Sequence, residues 1–175
     1  MSNPRVVPVH GRYKAALFDM DGLLLDTERM SLRACQETLQ RFGVVRSFDS
    51  LRAFVGKPQR VVAAEISDLT GVRIEVEAYL SAWQEQYDAL LSKGVALRPT
   101  SRKSLNHIVK TGLPIAVVTT TEKQRAQEKL ANVGLERLFA TIVGGLCVAN
   151  RKPHPDPYLL AAERLGVDTA ACIAF

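Results

Sequence analysis

The sequence predicts an α/β fold, a doubly wound parallel sheet with an inserted all-helical segment. Three observations lead there. Short apolar runs at 14–19, 113–118, 141–143 and 171–175 have the length of buried strands, and the first two stop at polar residues. Amphipathic stretches with helical spacing separate the later runs, and strand–helix alternation implies a parallel sheet covered on both faces. The stretch 28–94 holds helical patterns and no strand candidate, so it reads as an insertion after the first strand. Right-handed crossovers restrict the topology to a doubly wound sheet.

Taken in order, KAALFD at 14–19 is the first strand, ending in Asp-Met-Asp-Gly. From Thr27 the period changes: Met30, Ala34, Leu39 and Phe42 share a helical face, and Gly43 marks the stop. Asp26 and Glu28 suit a helix start, through capping and the helix dipole. Helices follow at 59–69 and 76–91, with Gly71 as the break between them. Trp83, Tyr79 and Tyr87 recur at helical spacing, which points to packing within this block. Beyond Gly94, residues 101–110 read as a helix, 113–118 as a strand, 122–133 as a helix closed by Gly134, and 141–143 as a short strand. Residues 156–165 form the next helix, with Gly166 just past its end, and ACIAF at 171–175 begins another strand.

Composition narrows the function. The chain has 175 residues, 47% hydrophobic and 23% charged, with 11 Gly and 8 Pro, which excludes disorder and collagen-like repeats and allows one domain with an insertion. No apolar stretch approaches the ~18 residues of a membrane helix. The net charge is +5, from 23 basic and 18 acidic residues. The excess favours anionic partners in general, and the basic residues are scattered (Arg29, Arg33, Arg41, Arg46, Arg52) without a stripe or interleaved aromatics, which argues against nucleic acid. Cys35, Cys147 and Cys172 form no CxxC pair and read as reduced thiols of a cytoplasmic protein. Residues 1–14 lack the apolar core of a secretory signal and read as a loosely held tail. His10, His107 and His154 have no partner at metal-ligand spacing.

Ligands of doubly wound sheets sit beyond the carboxyl ends of the strands. The polar residues there are Asp19 and Asp21 after the first strand, Thr119, Thr120 and Thr121 after the second, and Lys152 before the 156–165 helix. Asp19 and Asp21 are two apart on extended backbone and face one side, with Gly22 permitting the turn. Such a pair suits a hard cation such as Mg2+, or a nucleophile with an acid/base partner. Thr119 can bond a phosphoryl oxygen, and Lys152 can neutralise charge on it. Each also has an ordinary reading: an Asp/Gly turn, a helix cap at Thr121 before Glu122, a solvated surface lysine. Their joint occurrence in this order favours chemistry.

The segment Phe18-Asp19-Met20-Asp21-Gly22-Leu23-Leu24-Leu25-Asp26-Thr27-Glu28 resembles the first motif of the haloacid dehalogenase (HAD) superfamily, in its phosphatase and phosphomutase branch. The strand ending at Thr119 resembles the second motif, and Arg151-Lys152-Pro153-His154-Pro155-Asp156 resembles the third, Lys-Pro-x-Pro-Asp. The resemblance implies a Rossmann-like core at 12–27 and 95–175 and an α-helical cap at 28–94. It implies Asp19 as nucleophile and Mg2+ ligand, and Asp21 as acid/base that lends its backbone carbonyl to the metal. Thr119 would bind the transferring phosphoryl group and Lys152 would stabilise it, with Gly22 and Thr120 beside the substrate. Asp at position 21 argues against a true dehalogenase, whose halide leaving group needs no proton. In the cap, Gly56-Lys57-Pro58-Gln59-Arg60 lies where similar proteins carry a specificity loop. Gly56, Lys57 and Arg60 become substrate-binding candidates, although a Gly-Pro helix start with solvated charges explains them equally.

One departure matters. The family's fourth motif, acidic residues after the strand at 171–175, would lie past Phe175, so the chain reads as cut short and weakly active as a fragment; its oligomeric state is left open, with a monomer favoured. Three functions remain open: a Mg2+-dependent phosphatase of a small phosphorylated metabolite, a β-phosphoglucomutase-like mutase suggested by Arg60, and a non-catalytic phospho-acceptor or binding module. The receiver-like Asp/Thr/Lys set favours the last, and the cap-sized insertion argues against it.

Overall fold

Strand β1 (Ala15–Phe18) is buried along its whole length, as expected for a strand with parallel neighbours on both sides. The computed structural model describes residues 11–175, so most of the N-terminal tail, with His10, lies outside the described residues. Four strands form one parallel sheet: β1, β2 (Ile115–Val118), β3 (Thr141–Val143) and β4 (Cys172–Ala174), in the order β3-β2-β1-β4. The apolar run 113–118 enters the sheet only at Ile115, because Pro114 cannot donate a ladder hydrogen bond. Its carbonyl still accepts from Ala16 N at 3.1 Å.

Helices α1 (Thr27–Arg41), α2 (Phe48–Leu51), α3 (Gln59–Thr70) and α4 (Val76–Ser92) follow β1. Then α5 (Ser101–Val109) precedes β2, α6 (Lys123–Asn132) precedes β3, and α7 (Asp156–Leu165) precedes β4. The single-turn α2 and the 3₁₀ turn at Arg52–Phe54 are absent from the sequence reading, since four residues show no period. Asp26 precedes α1 but its side chain makes no capping bond, contrary to the expectation from residue type.

The chain divides into two compact units, one reaching Leu25 and resuming over Leu97–Phe175, the other Asp26–Ala96. In the first, Leu17, Ala116, Val118, Val143 and Ala161 form one buried cluster. Ala116 and Val118 alternate along β2 and so share a face, and Ala161 of α7 packs on it. On β1 the Phe18 ring stacks on Phe175 with centroids 4.9 Å apart and meets Phe139 edge-on at 6.3 Å. Burying a side chain such as Leu17 contributes about 1.5–3 kcal/mol, which is what holds the strand ends in register.

The second unit packs Leu32, Cys35 and Leu39 of α1 against Leu51, Phe54, Val62, Ile66 and Tyr79. Tyr79 is fully buried, and its hydroxyl donates to Gln59 Oε1 at 2.9 Å and lies 3.3 Å from Cys35 Sγ. Trp83 stacks on Tyr87, and its indole N–H donates to the Ser31 carbonyl, so the aromatic triplet serves packing. Burial pushes the Cys35 thiol above its ordinary pKa. All three cysteines are free, and only Cys35 is buried. Cys35 is therefore expected to react slowest with a thiol reagent such as DTNB in the native protein, and all three equally in denaturant. Equal native rates would contradict this packing.

Candidate active site

Parallel register decides which residues share the sheet edge. Phe18 pairs with Val117, so Asp19 emerges beside Val118 and Thr119. Asp19 N donates to Phe175 O at 3.0 Å and Thr119 N donates to Val143 O at 2.9 Å, which anchors both in the ladder. Met20 is fully buried and its carbonyl accepts from Leu24 N and Leu25 N, folding the chain back directly after the strand. Gly22 sits at φ 79° in this turn, a conformation that costs an L-residue but not glycine, and its N–H donates to Leu25 O.

Lys152 spans two strand ends. Its ammonium donates to Asp19 Oδ1 at 2.9 Å and to the Val118 carbonyl at 2.7 Å, and it lies 5.1 Å from the centre of the Tyr158 ring. The lysine side chain is only 17% exposed against 41% for Asp19, so it is no solvated surface lysine. The Lys152–Pro153 peptide is cis, and the loop is closed by His154 Nδ1 at 2.9 Å from Asp156 Oδ1 and by Asn150 donating to Asp156.

Asp21 is held by a second set. Its Oδ1 accepts from the Lys129 ammonium at 2.8 Å, and its Oδ2 accepts from Thr121 Oγ1 at 2.7 Å and Thr119 Oγ1 at 3.2 Å. Thr119 Oγ1 in turn accepts from Thr121 N at 3.1 Å. Thr121, expected to cap α6, instead turns its hydroxyl to the candidate residue Asp21, and Glu122 stands at the cap position without a side-chain capping bond. Sequence reading missed Lys129. Its signal was a lysine on the side of α6 that Ala126 and Leu130 bury.

Gly144 and Gly145 hold the loop after β2 in place. A Cβ on Gly145 would fall on the Thr120 carbonyl oxygen, and one on Gly144 would lie 2.8 Å from the Thr121 oxygen. Gly145 N donates to that Thr121 oxygen at 3.0 Å. Gly145→Ala is expected to destabilise by at least about 3 kcal/mol, because both sides of the collision are backbone. The matching drop in thermal midpoint is about 6–12 °C by scanning calorimetry. An unchanged midpoint would refute the close approach.

The second unit holds the remaining candidates. Gly56 and Lys57 line a pocket of about 250 Å³ together with Glu28, Ser31, Cys35 and Gln59. Lys57 is ion-paired with Glu65 at 2.7 Å and lies over the Phe54 ring, while Arg60 is paired with Glu77 at 2.7 Å and does not line the pocket. Thus Asp19, Asp21, Thr119, Thr120, Lys152 and Gly22 belong to the first unit, where Lys152 meets Asp19 and Thr119 meets Asp21, and Gly56, Lys57 and Arg60 belong to the second.

Known proteins resemble this chain in sequence and in fold. Residues 16–175 match the family profile of haloacid dehalogenase-like hydrolases. The fructose-1-phosphate phosphatase YqaB of Escherichia coli is 32% identical over 170 residues, covering 95% of this chain and 88% of that protein. A phosphorylated carbohydrates phosphatase of Thermotoga maritima is 29% identical over 162 residues, covering 93% and 75%. Among solved structures, a HAD family hydrolase of Deinococcus radiodurans with bound phosphate and sodium superimposes with a TM-score of 0.79 at 25% identity, covering 93% of this chain and 72% of that one. With a parallel sheet of matching fold and a profile match over nearly its full length, the chain belongs to the haloacid dehalogenase-like hydrolase family.

Proposed function

We propose that this protein is a Mg2+-dependent phosphatase of small phosphorylated carbohydrates that works through an aspartyl-phosphate on Asp19. The observation that carries the reading is the Asp19 carboxylate at the end of the central strand, paired with a Lys152 that is itself fixed to Val118. A nucleophile must be accessible and held, and Asp19 is both, with 41% of its side chain exposed. The similar proteins named as phosphatases of fructose 1-phosphate and of phosphorylated carbohydrates support the substrate class.

In this scheme an Asp19 oxygen attacks phosphorus, the ester P–O bond breaks, and Asp21 gives its proton to the leaving oxygen. Water then attacks phosphorus and passes a proton to Asp21, and the P–O bond to Asp19 breaks. Lys152 balances negative charge on Asp19 and the phosphoryl group. Thr119 reaches a phosphoryl oxygen by exchanging its long 3.2 Å contact to Asp21, and this reading assigns Gly22 and Thr120 to substrate binding.

The residues fit a hard divalent cation. Among the described residues no three His, Cys, Asp or Glu side chains cluster as a metal site. Mg2+, however, is commonly held by one or two carboxylates plus water and substrate phosphate. Asp19 offers such an oxygen, with the Asp21 backbone carbonyl as the second protein ligand. The Asp21 side chain is engaged by at least three donors. Charge argues the same way: the ammoniums of Lys152 and Lys129 each face one carboxyl group, so with Asp21 protonated as the acid this set carries a single net positive charge against an arriving phosphate dianion. When bound, Mg2+ supplies the missing positive charge.

The unit ending at Leu25 and resuming at Leu97 serves as the catalytic core in this reading, and Asp26–Ala96 as the cap that selects substrates through Gly56, Lys57 and Arg60. The free thiols suit a cytoplasmic protein, no helix among the described residues is long and apolar enough to cross a membrane, and we favour a monomer. A screen of phosphate release from sugar 1-phosphates, hexitol phosphates, phosphoglycolate and nucleotides, with Mg2+ and with EDTA, tests the reading. Release from a carbohydrate phosphate that EDTA abolishes is expected. Isomerisation of a hexose 1-phosphate without phosphate release would replace it with a mutase, and stoichiometric phosphorylation without turnover with a phospho-acceptor.

A further inference from the structure

Helix α6 buries Ala126, Lys129 and Leu130, a face on which the residues other than Lys129 are apolar. Lys129 is only 3% exposed. An ammonium there is costly unless it is paired and hydrogen-bonded, and its partner is Asp21 Oδ1 at 2.8 Å. The other carboxylate oxygen accepts from Thr121 and Thr119, so donors from a helix, a strand end and a loop converge on one side chain. Asp21 itself stands on the turn beyond β1, where the backbone alone does not set its rotamer. An ammonium and two hydroxyls are all donors here, and together they hold the carboxylate as an acceptor in one orientation.

We propose that Lys129 is the positioning residue that keeps Asp21 aimed as the proton acceptor for the water that opens the phosphoenzyme. This rests on the assignment of Asp19 and Asp21 given above. In that step the water oxygen bonds to phosphorus and the P–O bond to Asp19 breaks. The electron pair returns to Asp19 and the water proton goes to Asp21. Lys129 touches none of the reacting atoms; it acts by fixing where Asp21 points, and misplacement of such a group by an ångström slows transfer.

The test compares Lys129→Met, Lys129→Arg and Asp21→Asn with the wild type, using p-nitrophenyl phosphate in Mg2+. The readouts are kcat, the pre-steady-state burst of p-nitrophenolate, and the fraction of protein trapped as acyl phosphate by rapid quenching. Lys129→Met is expected to lower kcat by about 10–100-fold while the trapped fraction rises and a burst appears, because opening of the phosphoenzyme is what slows. Lys129→Arg, which keeps the charge, recovers part of the rate and lowers the trapped fraction, and it replaces the Met variant if that one does not fold. A kcat loss without trapped phosphoenzyme, or no loss at all, overturns the proposal. If Asp21→Asn accumulates phosphoenzyme and Lys129→Met does not, only the role of Lys129 fails. If Asp21→Asn turns over normally, the acid/base assignment itself fails.

Discussion

Asp19→Asn is expected to reduce phosphate release from any ester substrate by at least about 10³-fold and to abolish trapped acyl phosphate, while the protein still melts cooperatively. Asparagine keeps the shape of the side chain but is a poor nucleophile, and it removes the negative charge that Lys152 meets at 2.9 Å. The fold should tolerate this. Asp19 is 41% exposed, and its backbone N–H, not its side chain, supplies the ladder bond to Phe175. Calorimetry separates the two effects: a large rate loss with a small shift in midpoint is the expected pattern. Normal turnover of p-nitrophenyl phosphate by this variant would end the covalent mechanism.

Lys152→Met should come next in size, lowering kcat by about 10²–10³-fold, the range seen when one preorganised charge-stabilising donor is lost. The ammonium does two things from one position. It faces Asp19, where negative charge concentrates during transfer, and it ties that point to the Val118 carbonyl at the end of β2. Lys152→Arg is not expected to restore the rate, because a planar guanidinium cannot place its donors where a compact ammonium reaches both oxygens. Its kcat should stay within about tenfold of the methionine variant. The contribution to stability is small beside this, since Asp19 remains open to water that screens the pair. A methionine variant with a near-normal kcat would show that the lysine is structural.

The parts of the site legible in the sequence are those carried by local chain geometry. Asp19 and Asp21 follow an apolar run of strand length and precede a turn glycine, and such runs are readable because burial on both faces requires continuous apolar residues. Thr119 was placed by the same logic after β2, and Lys152 by its motif. The boundaries that moved have local causes: Pro114 delays β2, and α2 is too short to show a period.

What a linear reading lacked was the identity of partners. Thr121 looks like a cap because it precedes a helix, and only the approach of Asp21, 100 residues away in sequence, shows that its hydroxyl is used elsewhere. Lys129 looks like one more positive charge among the 23 basic residues, and its burial against Asp21 is invisible until α6 is packed on the sheet. Lys57 and Arg60 look available to a substrate, yet each is met by a glutamate of its own unit.

The sequence by itself determined the fold class, the strand ends and the nucleophile candidate, because apolar period and turn chemistry act over a few neighbouring residues. Only the tertiary structure decided which charge faces which. That pairing depends on strand register and helix packing, which bring together residues more than 100 positions apart, Asp21 with Lys129 and Asp19 with Lys152.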